Sequence, residues 1–112
     1  MADLKPIYRG DTYAYELRFK EKVNQTPIDI TGWELAFTMK LSAESADAEL
    51  QVVKIVDGTE GPSGVAALLL TAEETAQLIP TRYSFDFQVK NGPVTRTLTK
   101  GIIKVESDVN HG

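Results

Sequence analysis

The chain has no cysteine and a single histidine, His111, one residue from its C-terminus. Without cysteine there is no disulfide framework and no thiolate nucleophile, so the fold must be held by its core alone. One terminal histidine cannot build a zinc site or a catalytic triad, both of which need several partners at fixed geometry. Positive charge is also scarce: 12 Lys and Arg stand against 16 Asp and Glu, a net charge of −4 at pH 7. A nucleic-acid binder clusters basic residues against phosphates, whereas Arg9, Arg18, Arg82 and Arg96 lie apart from one another among acids. No run approaches the roughly 20 apolar residues of a membrane-spanning helix. The start, Met1-Ala2-Asp3-Leu4-Lys5, lacks the basic opening and apolar stretch of a signal peptide, which places synthesis and folding in a cytoplasm.

What remains is an ordinary globular composition, 42% apolar and 25% charged, which disorder does not produce. At 112 residues the chain is the length of one core, so residues 1–112 are expected to form a single domain. Period-2 alternation dominates it. Residues 12–20 put Tyr13, Tyr15, Leu17 and Phe19 on one face. Residues 33–41 do the same with Trp33, Leu35, Phe37, Met39 and Leu41, and residues 82–90 with Tyr83, Phe85, Phe87 and Val89. A helix would scatter these side chains around its circumference; a strand gathers them. These three strands are therefore expected at the centre of the core.

Residues 5–9, 50–56, 65–70 and 94–100 read as further strands, the first an edge strand because of Pro6. Asn91-Gly92 has the composition of a tight hairpin turn. Leu98 and the later pair Ile103 and Val105 differ in parity, which requires one extra residue, expected as a bulge at Gly101. Thr71-Ala72-Glu73-Glu74 matches a capping box opening a helical turn near residues 72–78, which Pro80 closes. Tyr83, just past that crossover, occupies the place of a corner tyrosine in immunoglobulin-like sandwiches. The fold class is all-β, a two-sheet antiparallel β-sandwich of about seven strands.

Candidate chemistry is thin. Asp11, Asp29, Asp57, Glu60, Asp86 and Asp108 are spread through turns and solvent faces, where carboxylates commonly accept from backbone amides. Asp57 and Glu60 could be recruited to a Ca²⁺ loop, but the spacing of such a loop is missing. Gly58, Gly61 and Gly64 recur every third residue, without the Lys and following helix of a phosphate-binding loop; they read as hairpin glycines. The aromatics Tyr13, Tyr15, Trp33 and Tyr83 share faces with Leu and Phe, so they are assigned to the core, leaving Tyr8 the least constrained. No catalytic, cofactor-binding or metal-binding residue is expected, and no cofactor.

The ordered constellation Tyr8-Arg9-Gly10-Asp11-Thr12, Pro27-Ile28-Asp29-Ile30-Thr31-Gly32-Trp33, Leu35 and Phe37 continues with Thr71-Ala72-Glu73-Glu74-Thr75 and Arg82-Tyr83-Ser84-Phe85-Asp86. It closes with Arg96-Thr97-Leu98, Gly101, Val105 and Asp108-Val109. In order and spacing it resembles small phage and prophage proteins similar to the N-terminal domain of the phage baseplate upper protein family. Family members often carry Gly where this chain has Thr81, and they run on into further segments where this chain stops at Gly112. The resemblance implies an immunoglobulin-like sandwich serving as a non-enzymatic part of a virion tail or baseplate. Its partners would be other phage structural proteins or a second copy, with neither nucleic acid nor membrane involved. The alternative is a ligand-binding sandwich, a carbohydrate-binding or adhesion module, which needs solvent-facing aromatics or a Ca²⁺-ordered loop.

Overall fold

Alternation becomes seven strands in the computed structural model, which describes residues 4–42, 44, 45 and 47–107. In chain order these are β1 (Ile7–Tyr8), β2 (Tyr13–Arg18), β3 (Glu34–Lys40), β4 (Leu50–Ile55), β5 (Val65–Leu70), β6 (Arg82–Asn91) and β7 (Val94–Glu106). A 3-10 turn, Gly61–Ser63, precedes β5, and one short helix, α1 (Ala72–Ala76), follows it. Five strands form a large sheet in the order β1-β7-β6-β3-β4, and β2 and β5 form the second. Every pairing is antiparallel except β1 on β7, where Ile7 faces Val105 and Tyr8 faces Glu106 in parallel register. Parallel neighbours need a long connection, and here the rest of the described chain supplies it.

The three aromatic strands meet where their patterns require. Leu35, Phe37 and Met39 of β3 and Tyr83, Phe85, Phe87 and Val89 of β6 are buried on the inner face of the large sheet. The two strands lie side by side with Phe37 opposite Phe87 and Met39 opposite Phe85. Tyr15 of β2 covers them from the second sheet, its ring 5.3 Å from Phe37 and 5.6 Å from Phe87. Phe19 meets Trp33 edge-on at 5.5 Å. Tilted and edge-on rings are the arrangements that aromatic quadrupoles favour.

Strands with weaker alternation are resolved by their neighbours. β4 buries Leu50 and turns Val53 and Ile55 outward, while β5 buries Ala66, Leu68 and Leu70 and exposes Leu69. Three sequence expectations are corrected. Leu41 lies one residue past β3 and is half exposed, because the chain has already turned away from the sheet. The N-terminal strand is limited to Ile7–Tyr8, since Pro6 donates no hydrogen bond to a ladder. The extra residue in β7 is Leu98, not Gly101: the register passes from Phe87 opposite Thr99 to Gln88 opposite Thr97. Parity fixed that one residue must be extra between Leu98 and Ile103. Gly101 instead pairs in register with Phe85.

The crossover from β5 to β6 links the two sheets. Thr71 caps α1, its hydroxyl accepting from the Glu74 amide at 3.1 Å while the Glu74 carboxylate accepts from the Thr71 amide at 2.9 Å. Leu78 is buried beneath the crossing. The Tyr83 hydroxyl then accepts from the Ile79 amide at 2.9 Å and donates to the Ile79 carbonyl at 3.0 Å, which ties the corner to the strand it opens.

Candidate interaction surface

The acids singled out in the sequence are dispersed, and each described one has a local duty or none. Asp29 Oδ1 accepts from the Thr31 hydroxyl at 2.6 Å and the Thr31 amide at 3.0 Å, which holds the carboxyl below its ordinary value of 3.8. Asp57 is held low in the same way, by the amides of Glu60 and Thr59. Both are turn carboxylates. The Glu60 carboxylate pairs with the Lys54 ammonium at 2.6 Å. The carbonyl of Asp11 accepts from Thr75, whereas its carboxylate takes no part in that contact. Among the described residues no three His, Cys, Asp or Glu converge on a point that would hold a metal. His111 and Asp108 lie outside the described residues.

Gly61 and Gly64 are required by close approach. A Cβ on Gly61 would lie 2.7 Å from the Thr31 backbone, and one on Gly64 2.6 Å from the Phe19 carbonyl oxygen. Gly64 also has φ +72°, in the left-handed region. Gly58 has open space around it. The aromatics divide as expected: Tyr83 is buried, Tyr13, Tyr15 and Trp33 pack half-buried against the core, and Tyr8 is exposed. Tyr8 is the one exposed aromatic among the described residues.

Two surface features were not legible in the sequence. The first is a shallow concavity of about 790 Å³ on the outer face of β3, β6 and β7. Thr38, Lys40, Ser84, Asp86 and Lys100 line it, with Leu98 at its rim. Asp86 Oδ1 is shielded there without a hydrogen-bond partner, while Thr38 and Lys100 stand across from it on the neighbouring strands. Alternation of residues 82–90 sets Ser84 and Asp86 on the outer face, but which strands lie beside them is decided by strand order.

The second is a set of sheet edges in unequal states. β1 covers β7 only at its C-terminal end, with Leu4 N donating to the Ile102 carbonyl and Arg9 N to the Glu106 carbonyl just outside the paired residues. The stretch 94–101 of β7 has no strand on its open side among the described residues. At the opposite edge β4 is shielded: Lys54 reaches across to the Ala67 carbonyl of β5 at 3.1 Å and pairs with Glu60. An inward-pointing lysine on an edge strand obstructs pairing with another chain.

No family profile matches the sequence, and no curated protein does. Among solved structures, the chain is similar to the N-terminal domain of phage TP901-1 ORF48, at 16% identity over 94% of this chain and 85% of that one, with a TM-score of 0.49. It is also similar to the NK cell receptor Nkp44, at 8% identity over 95% of this chain and 96% of that one, again with a TM-score of 0.49.

Proposed function

We propose that this chain is a non-enzymatic structural component of a phage or prophage particle, placed in its tail or baseplate and working as one domain through protein–protein contacts. The observation that carries the reading is the role of the residues behind the family resemblance. Arg9 donates to the Ala76 carbonyl at 2.8 Å, Gly10 N donates to the Thr75 hydroxyl at 3.1 Å, and that hydroxyl donates to the Asp11 carbonyl at 2.7 Å. The Tyr8-Arg9-Gly10-Asp11 and Thr71-to-Thr75 motifs, more than sixty residues apart, are thus bound into one latch. The Asp29-Ile30-Thr31-Gly32 motif closes on itself around buried Ile30, with Gly32 at φ +85°. A constellation spent on pinning a sandwich together suits a building block, because a site would instead bring reactive groups together.

Mass spectrometry of purified particles from the producing strain, with pairwise co-expression alongside the products of neighbouring genes, tests this reading. The expected result is the chain in the particles and a stable complex with one tail protein. Its absence from particles, with a monomeric mass at every concentration and no copurifying partner, would overturn it. A clear glycan-array hit lost in Tyr8→Ala would favour a carbohydrate-binding module in its place.

A further inference from the structure

The charge of this acidic chain is unevenly laid out. From Phe87 to Val105 there is no Asp or Glu, and Lys90, Arg96, Lys100 and Lys104 all fall within that stretch. Those residues form the end of β6 and most of β7: Arg96 and Lys100 fall on the stretch whose side carries no strand among the described residues, while Lys104 lies beside β1 and pairs with Glu106 at 3.5 Å. The Ile102 carbonyl points away from β6, to the side where Leu4 N meets it. Backbone groups alternate sides along a strand, so Lys100 faces the same way, and the extra residue at Leu98 shifts the alternation to put Thr97 and Thr95 there too. Residues 94–98 and 100 are exposed, and Thr99 is half-buried.

We infer that the open side of β7, over residues 94–101, is a docking edge that takes an acidic, extended strand from a partner protein and continues the large sheet. The inference rests on the reading of the chain as an assembly component. Strand addition draws its affinity from main-chain hydrogen bonds and its selectivity from alternate side chains. An incoming strand would set every second side chain on the face that carries Lys100 and Lys40, beside the outer concavity. Acids there meet cations, and a basic strand meets like charge. The same logic disfavours a second copy. Two β7 edges brought together would add the cations of one copy to those of the other, Arg96 opposite Val89 on the inner face and Lys100 on the outer, where Asp86 of β6 offsets Lys100 in part.

The other edges offer less. β1 is two residues long, and β4 is shielded by Lys54. The β2 edge carries the Glu16–Arg18 pair, closed on itself at 2.6 Å, so it selects no sign of charge.

The test uses the full chain and a short capped peptide alternating glutamate with valine, with a lysine-for-glutamate peptide beside it, followed by amide chemical shifts and fluorescence anisotropy. The glutamate peptide is expected to move the amides of Thr95, Thr97 and Lys100 and to bind about tenfold tighter than the lysine peptide, as two or three exposed ion pairs allow. Its binding should weaken at about 1 M salt, where the screening length falls to about 3 Å. Thr97→Pro deletes an amide that faces the open side and should lower binding at least about tenfold while the protein stays folded. Thr97→Val keeps the amide and should bind as the parent does. Failure of the glutamate peptide to bind, equal binding of the two peptides, indifference to Thr97→Pro, or shifts confined to β1, β2 or β4 would each overturn the inference. So would self-association that moves the same β7 amides without peptide, which would make a second copy the occupant. Absence from particles with peptide binding intact removes the phage reading and leaves the edge standing. Normal incorporation of Thr97→Pro into particles removes the edge and leaves the phage reading.

Discussion

At Gly61 a single hydrogen atom decides whether two loops can touch. The Ile30 amide donates to the Gly61 carbonyl at 3.0 Å, and the Gly61 amide donates to the Asp57 carbonyl at 2.9 Å. That double engagement brings its Cα against the Thr31 backbone, with no room for a methyl group. Gly61→Ala is therefore expected to cost about 2 kcal/mol or more, as overpacking against backbone does. Gly58→Ala, in open space, should be close to neutral, and urea midpoints of the two variants check the contrast. The sequence marked all three glycines as turn residues. It could not rank them, because the ranking depends on what the rest of the chain lays beside them.

Ionisable residues set the pH limits of stability at the same scale. Asp57 and Asp29 have folded values below the ordinary 3.8 because amides and a hydroxyl donate to their carboxylates. Their contribution is complete above the unfolded value and is lost as pH falls through the folded one. Tyr15 moves the other way, raised from 10.0 to about 12 by burial and then by the neighbouring Tyr13. Its contribution is complete below pH 10 and is lost as pH rises toward 12. Stability measured against pH should thus decline on both sides. Asp57→Asn is expected to shallow the acid limb alone and Tyr15→Phe the alkaline limb alone. A variant that moves the opposite limb would refute the assignment.

Elements were legible wherever local pattern and tertiary demand agreed. The capping box of α1 formed from Thr71 and Glu74 as the motif requires, and Thr71→Ala should cost about 1 kcal/mol, read as a fall in thermal midpoint. β3 and β6 kept their inward faces because those residues join one apolar core, which Tyr15 closes from the second sheet over Phe37 and Phe87. Pattern failed where a strand's limits are set by its partners. β1 shrank to two residues because only Ile7 and Tyr8 find β7 in register. The bulge moved to Leu98 because parity counts residues without locating them. The open side of β7 was hidden for the same reason: which edge is left uncovered is a property of strand order, and strand order joins residues far apart in sequence.

For the molecule as a whole, the absence of disulfides gives weight to one ring cluster. Phe37 lies 5.3 Å from Tyr15, 4.8 Å from Phe87 and 6.1 Å from Phe85, ring centre to ring centre, so it sits at the middle of the cluster that joins the two sheets, with Phe87 as its neighbour on Tyr15. It is fully buried. Truncating a buried phenylalanine removes about 3–5 kcal/mol, and a small domain holds about 5–15 kcal/mol in all. Phe37→Ala should therefore take about a fifth or more of the global stability, lowering the urea midpoint with little change in slope if unfolding remains two-state. Trp33 is the useful comparison, since its indole, on the residue just before β3, packs half-buried on Phe19. Trp33→Phe keeps an aromatic there and should cost clearly less. Were the two losses equal, cohesion between the sheets would be spread along β3, and the cluster at Phe37 would lose its special place in holding a cysteine-free sandwich closed.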